Sequence, residues 1–230
     1  MSASTISALE RLQQIEPPLE LSRQALWEAV GPAMLSENLG LQEIISIIKS
    51  PEFREEVRDG KVTVGMIKPR LEEAVKDGTV QTVKDWERAQ EIINIISSQI
   101  DTILQISVQF TEPMVEEFYA GKPKEALLQN PPINPDRYGQ RHENRWQEFM
   151  ALMTSAPVTF LILAKEDGTA IDTWRQMLGG SWDINQAKPG SLRATYPHEN
   201  HNNIFHGSDS PESVLKELDF LIAYLEQCLS

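Results

Sequence analysis

The chain has 230 residues, a formal charge of −13 and one cysteine, Cys228. That length allows one domain with a substantial core, or one domain plus an appendage. The acidity argues against nucleic-acid binding through the overall field, so any anion site must be a local basic pocket. A lone cysteine excludes an intrachain disulfide framework and fits a reducing compartment.

Met1-Ser2-Ala3-Ser4-Thr5 has no basic-then-apolar signal pattern. No stretch is long and apolar enough to span a bilayer, so a soluble, cytoplasmic chain is expected. Residues 1 to 60 read as helical. Ile6, Leu9, Leu12 and Ile15 recur at helical spacing until Pro17-Pro18. A second helix carries Leu21, Ala25, Trp27 and Val30, and a third carries Leu39 to Ile48. Ser50-Pro51 then reads as a cap and first-turn proline for a short helix through Arg58, ended by Asp59-Gly60. These helices hold no catalytic constellation and read as a packing or assembly element.

Lys61 to Ile67 is the first strand-like run, and it delivers Lys68-Pro69 to its end. Trp86 to Ile100 predicts a helix with Ala89, Ile92, Ile93 and Ile96 on one face. Ile103 to Val108 predicts a second strand, and Glu112 to Tyr119 a short helix. Residues 121 to 140, with Pro123, Pro131, Pro132 and Pro135, read as a loop insertion without a regular element. Glu143 to Met153 is helical again. Val158 to Ala164 is apolar nearly throughout, as expected of a central strand buried on both faces. A helix from Thr169 to Leu178, a long loop from Gly179 to Thr195 and a final helix striped with Val214, Leu218, Leu221 and Leu225 complete the chain. The alternation predicts an α/β or α+β sandwich of about four strands covered by helices.

The segment before the last helix, Asn203-Ile204-Phe205-His206-Gly207-Ser208-Asp209, runs apolar residues into a histidine. Ser210 is a plausible N-cap, Pro211 suits the first helical position, and Glu212 suits the positive helix end. An imidazole beside a helix N-terminus is well placed to accept a phosphoryl group. Lys68, Arg175, Lys188 and Arg193 sit near element ends and are the cations that could converge on it. His198 and His201 lie three apart in an Asn-rich loop, too weak a pattern to assign a metal site, and His142 in its charged run reads as a surface residue.

Four ordered motifs carry a resemblance. Met66-Ile67-Lys68-Pro69, Met177-Leu178-Gly179-Gly180, Lys188-Pro189-Gly190-Ser191-Leu192-Arg193 and the His206 segment are together similar to the nucleoside diphosphate kinase family over residues 61 to 230. The resemblance implies an α+β, ferredoxin-like sandwich with a four-stranded antiparallel sheet, residues 1 to 60 being a helical extension. It implies that His206 takes the γ-phosphoryl group of a nucleoside triphosphate and passes it to a nucleoside diphosphate. Glu217 would hydrogen-bond the imidazole, with Ser208 supporting the carboxylate. Arg175, Ser181 and Arg193 would hold phosphates, Ser181 standing where the family usually has threonine. Lys68 and Asn203 would contact ribose and phosphate, and Tyr119 would lie near the γ-phosphate. It further implies ATP as donor, Mg²⁺ carried largely by the nucleotide, and a homo-oligomer.

The chain departs from the family where the base is held. Arg70 follows Lys68-Pro69 in place of aspartate, and the proline-rich insertion lengthens the chain before Pro157. Arg145 takes the place of the stacking aromatic, with Trp146, Phe149 or Tyr138 as substitutes, and Asn200 falls where the family has an apolar residue. The alternatives are a non-catalytic homologue acting as an interaction module, and a histidine phosphocarrier that transfers to a protein.

Overall fold

The computed structural model describes residues 34–229, except 70, 77–78, 85, 121, 134, 137–139, 181–185 and 197–203. The two helices expected before residue 33 lie outside the described residues. The chain enters with helix α1 (Met34–Lys49) and α2 (Pro51–Arg58). Ser50 caps α2 by accepting the Phe53 N–H, with Pro51 in the first turn, as the sequence predicts.

Strand β1 (Val62–Ile67) follows, then a hairpin of β2 (Leu71–Lys76) and β3 (Thr79–Lys84). The sequence reading did not anticipate this hairpin. Its signal was present: Asp77-Gly78, with Val75 before it and the β-branched Thr79, Val80, Thr82 and Val83 after it, is a strong two-residue hairpin sequence. Helix α3 (Trp86–Ser97), β4 (Asp101–Val108) and α4 (Glu112–Phe118) come next.

The segment expected to be an irregular loop contains a helix, α5 (Lys122–Leu128). Proline is tolerated in a first helical turn because its missing N–H has no intrahelical partner there, which is where Pro123 lies. The remainder of the insertion is tied down. The Ile133 N–H donates to the buried Glu148 carboxylate at 2.8 Å, and the His142 N–H donates to Pro135 O at 2.7 Å. His142, expected at the surface, is 5% exposed, and its N–H is tied to Pro135 O. Helix α6 (Arg145–Ser155), β5 (Val158–Ala164), α7 (Ala170–Leu178), the short α8 (Leu192–Thr195), β6 (Phe205–Gly207) and α9 (Pro211–Cys228) complete the fold.

Strands β4, β5, β1 and β6 form one antiparallel sheet in that order. Every residue of β5 is buried, as expected for an interior strand. The side chains of β1 alternate between two apolar layers. Val62, Val64 and Met66 face a core built with α1, α2, α4, α6 and α9. Ile67 belongs to a second core with Ile92 and Ile96 of α3 and Trp174 and Leu178 of α7. Helices α1 and α2 share the first core: Ile44, Ile47, Ile48, Phe53 and Val57 are buried in it with Leu218, Leu221 and Leu225 of α9. Numbered by sequence, the four sheet strands run 2-3-1-4, the strand order of the β-α-β-β-α-β ferredoxin-like sandwich. No helix among the described residues is long and apolar enough to cross a membrane.

Candidate active site

Three residues of β6 define the site. Phe205–Gly207 pairs antiparallel with β1, with Met66 opposite His206 and Gly65 opposite Gly207. Alternation puts the His206 ring on the α9 side of the sheet and Phe205 on the other. The Lys68 N–H donates to Ile204 O at 2.7 Å, tying the end of β1 to the start of this segment.

Trp174, which the sequence reading did not single out, supports β6 from behind. Its indole N–H donates to His206 O at 3.2 Å. The ring lies so close that a Cβ on Gly207 would sit 2.5 Å from Nε1, and one on Gly65 would sit 3.0 Å from the ring. Two facing glycines in paired strands were the available signal of such a close approach.

After Gly207 the chain starts α9. Ser210 accepts the Ser213 N–H and Pro211 occupies the first turn, as expected. Val214, Leu218, Leu221 and Leu225 are all fully buried. Glu217 is spaced three and four residues from Val214 and Leu221, so it lies on the inward face rather than toward solvent. Its Oε1 is 2.7 Å from His206 Nε2, and its Oε2 accepts the Ser208 hydroxyl at 2.8 Å. The Glu217 and His206 side chains are 11% and 22% exposed. A carboxylate can only accept, so Nε2 carries the proton of this bond and Nδ1 keeps its lone pair.

Aromatic rings wall the imidazole. Phe118 stands edge-on to His206 at 5.2 Å between centroids, and Tyr119 at 5.9 Å. A cleft of about 390 Å³ opens at His206 between α4 and α9, bounded by Phe118, Tyr119 and Phe220. Burial and then the charge of Glu217 push the Tyr119 phenol up from its usual range, which keeps it a proton donor. Phe118 has no counterpart in the sequence reading, since a lone aromatic at the end of a short helix reads as core.

Lys68, Arg193 and Arg175 do converge. Lys68 is 8% exposed and Arg193 9% exposed. Burial and then the Arg193 charge lower the Lys68 ammonium to about 7. Burial and then the Arg175 charge lower Arg193 to about 10. Two buried cations and an exposed third thus lie close enough for each charge to act on the next. A glycine turn brings the arginines together. Gly179 ends α7 in the left-handed region at φ 96°, and Gly180 N–H closes on Arg175 O. The Lys188 N–H then donates to Gly179 O, which folds the loop back so that α8 presents Arg193 beside α7. Ser181 and Asn203 lie outside the described residues.

The aromatic residues considered for base stacking are differently placed. Trp146 is 4% exposed, with Lys124 Nζ 5.2 Å from the ring centroid. Phe149 is partly buried, with Lys68 Nζ 5.2 Å from its centroid. Tyr138 and Asn200 lie outside the described residues, as do His198 and His201. Both oxygens of Glu217 are engaged, and no group of three or more metal-ligating side chains occurs among the described residues.

Known proteins include chains similar to this one. A family profile for nucleoside diphosphate kinase matches residues 136–226. Thioredoxin domain-containing protein 6 of Xenopus laevis is 32% identical over 162 residues, covering 69% of this chain and 21% of that protein. A nucleoside diphosphate kinase of Corynebacterium efficiens is 35% identical over 85 residues, 36% of this chain and 61% of the kinase. One of Listeria monocytogenes is 37% identical over 78 residues, 34% of this chain and 51% of the kinase. The chain thus spans less than two thirds of each of these curated relatives. Among solved structures, the nucleoside diphosphate kinase of Encephalitozoon cuniculi aligns with TM-score 0.47 at 21% identity, over 70% of this chain and 87% of that one.

Proposed function

Because this chain belongs to the nucleoside diphosphate kinase family as a divergent member, we propose that it transfers phosphoryl groups through His206. The donor is a nucleoside triphosphate and the acceptor a nucleoside diphosphate. The observation that carries the reading is the 2.7 Å bond from His206 Nε2 to Glu217, itself held by Ser208. That bond fixes the tautomer and leaves Nδ1 as the nucleophile.

In the first half-reaction the Nδ1 lone pair attacks the γ-phosphorus. The Nδ1–P bond forms, the bridging P–O bond breaks, and the nucleoside diphosphate leaves. The ring becomes formally cationic, and Glu217 opposite Nε2–H stabilises that charge. In the second, a terminal oxygen of another nucleoside diphosphate attacks phosphorus and the N–P bond breaks, restoring neutral His206. Lys68, Arg193 and Arg175 hold the phosphate oxygens, and the Tyr119 hydroxyl is a neutral donor near the transferring group. Ser181 and Asn203 complete the proposed phosphate and ribose contacts. Mg²⁺ bound by the nucleotide would neutralise charge on the β- and γ-phosphate oxygens. Self-association and a cytoplasmic location belong to the same reading.

Incubation with γ-labelled ATP and Mg²⁺ tests it. The expected result is acid-labile label on the protein, absent from His206→Ala and removed by GDP. No label, or equal label on His206→Ala, sinks the kinase in favour of a non-catalytic homologue. Label that GDP cannot remove points instead to a carrier that passes the group to a protein.

A further inference from the structure

Residues 145–155 form a helix whose first two turns carry Trp146 and Phe149. Residues three apart share a helix face, and the two rings meet at 5.8 Å. A base stacks on an aromatic ring by covering its face. Around Phe149 that space holds protein groups: the Lys68 ammonium at 5.2 Å, the Tyr119 ring at 5.0 Å and 87°, and Trp146. Tyr119 in turn meets the His206 ring at 5.9 Å and 85°. Phe149 therefore touches two residues assigned to phosphate handling and reaches the third through one of them.

We propose that Phe149 is a positioning residue for phosphoryl transfer, holding the Lys68 ammonium and the Tyr119 ring, and is not a platform for the nucleotide base. The inference rests on the kinase reading for its catalytic consequence but not for its geometry. A buried ammonium has lost much of its hydration, and the negative face of an aromatic ring is the apolar group that compensates. The same ring packs perpendicular to Tyr119, which limits where the phenol can swing. Burial and Arg193 already weaken the hold of Lys68 on its proton, so the face of Phe149 favours the charged form that a phosphate needs.

Phe149→Leu keeps an apolar side chain and removes the π face; Phe149→Tyr keeps the face. With ATP and CTP as donors, the expected result is a fall of about tenfold in the saturating rate of His206 labelling for Phe149→Leu. The fall is equal for both nucleotides, the ratio of their KM values is unchanged, and Phe149→Tyr recovers the rate. A base platform predicts the reverse, a changed KM ratio with the saturating rate intact, and that result overturns the proposal. A second measurement needs no activity. In the unliganded protein, ring current from Phe149 should move the Lys68 ε-methylene protons upfield, a shift lost in Phe149→Leu and kept in Phe149→Tyr. Absence of that shift in the unsubstituted protein overturns the proposal even if labelling succeeds. Its presence with no labelling leaves the geometry standing and removes the kinase reading.

Discussion

Lys68 shows what it costs to bury an ammonium beside another cation. Its pKa is lowered from 10.5 to about 7, with burial the larger cause and Arg193 the smaller. Between those two values the unfolded chain holds a proton that the native amine has released. Stability therefore rises as pH increases from about 7 towards 10.5, and below 7 the whole cost of burying the charge is present. The cost is on the order of 5 kcal/mol. Lys68→Met should thus raise the melting temperature at pH 6.5 while abolishing His206 labelling; a lower melting temperature would contradict the cost. An anion beside Lys68 pulls its pKa back up. Nucleotide binding at pH 8 should therefore take up protons, which calorimetry in buffers of different ionisation enthalpy measures directly. At the other end of the site, Glu217→Gln leaves a hydrogen-bonding group but no charge to stabilise a cationic ring. Labelling of His206 should slow by roughly a hundredfold, comparable with the loss of a positioned proton-transfer partner. An unchanged rate would remove Glu217 from the mechanism.

At the scale of elements, the site depends on two supports that touch no phosphate. Helix α7 presses Trp174 against Gly65 and Gly207 and binds the carbonyl of His206. Gly207→Ala would set a methyl group within 2.5 Å of the indole. The ring or the strand must then shift, and the His206–Glu217 bond shifts with it. The expected result is a destabilised protein with slowed labelling, checked by thermal melting beside the labelling assay. Helix α2 braces α9 from outside: Phe53 is fully buried among its neighbours, and Arg54 pairs with Asp219, two residues beyond Glu217. Phe53→Ala should cost about 3–5 kcal/mol, the usual range for an emptied aromatic site. The surface pair Arg54–Asp219, with Asp219 63% exposed, should contribute 1 kcal/mol at most, to about that precision.

For the whole molecule, the first core is shared between α1, α2, the sheet and α9. A chain beginning at residue 61 would expose the apolar faces of β1 and α9, and it should bind a hydrophobic dye and lose near-ultraviolet circular dichroism. A cooperative melt from that fragment would show that residues 61–230 fold alone. Much of this architecture is legible in the residues. Val158–Ala164 is apolar at all but Thr159 because an interior strand is buried on both sides, and Ser50-Pro51 and Ser210-Pro211 start helices because capping is local chemistry. The hairpin at 71–84 was legible too, in Asp77-Gly78, while α5 was hidden by a proline that its first turn accommodates. Local patterns such as periodicity, caps and ordered motifs belong to the sequence itself, and so they marked out the sheet, the last helix, the histidine and the cations. Contacts between residues far apart in the chain belong only to the packed molecule. Lys68 lies 81 residues from Phe149 by number, and only the fold decides that the ammonium meets the face of that ring. Likewise it was tertiary structure that set Trp174 behind His206 and buried Lys68 and Arg193 near the exposed Arg175, because burial and mutual charge exist only once the strands and helices have closed around them.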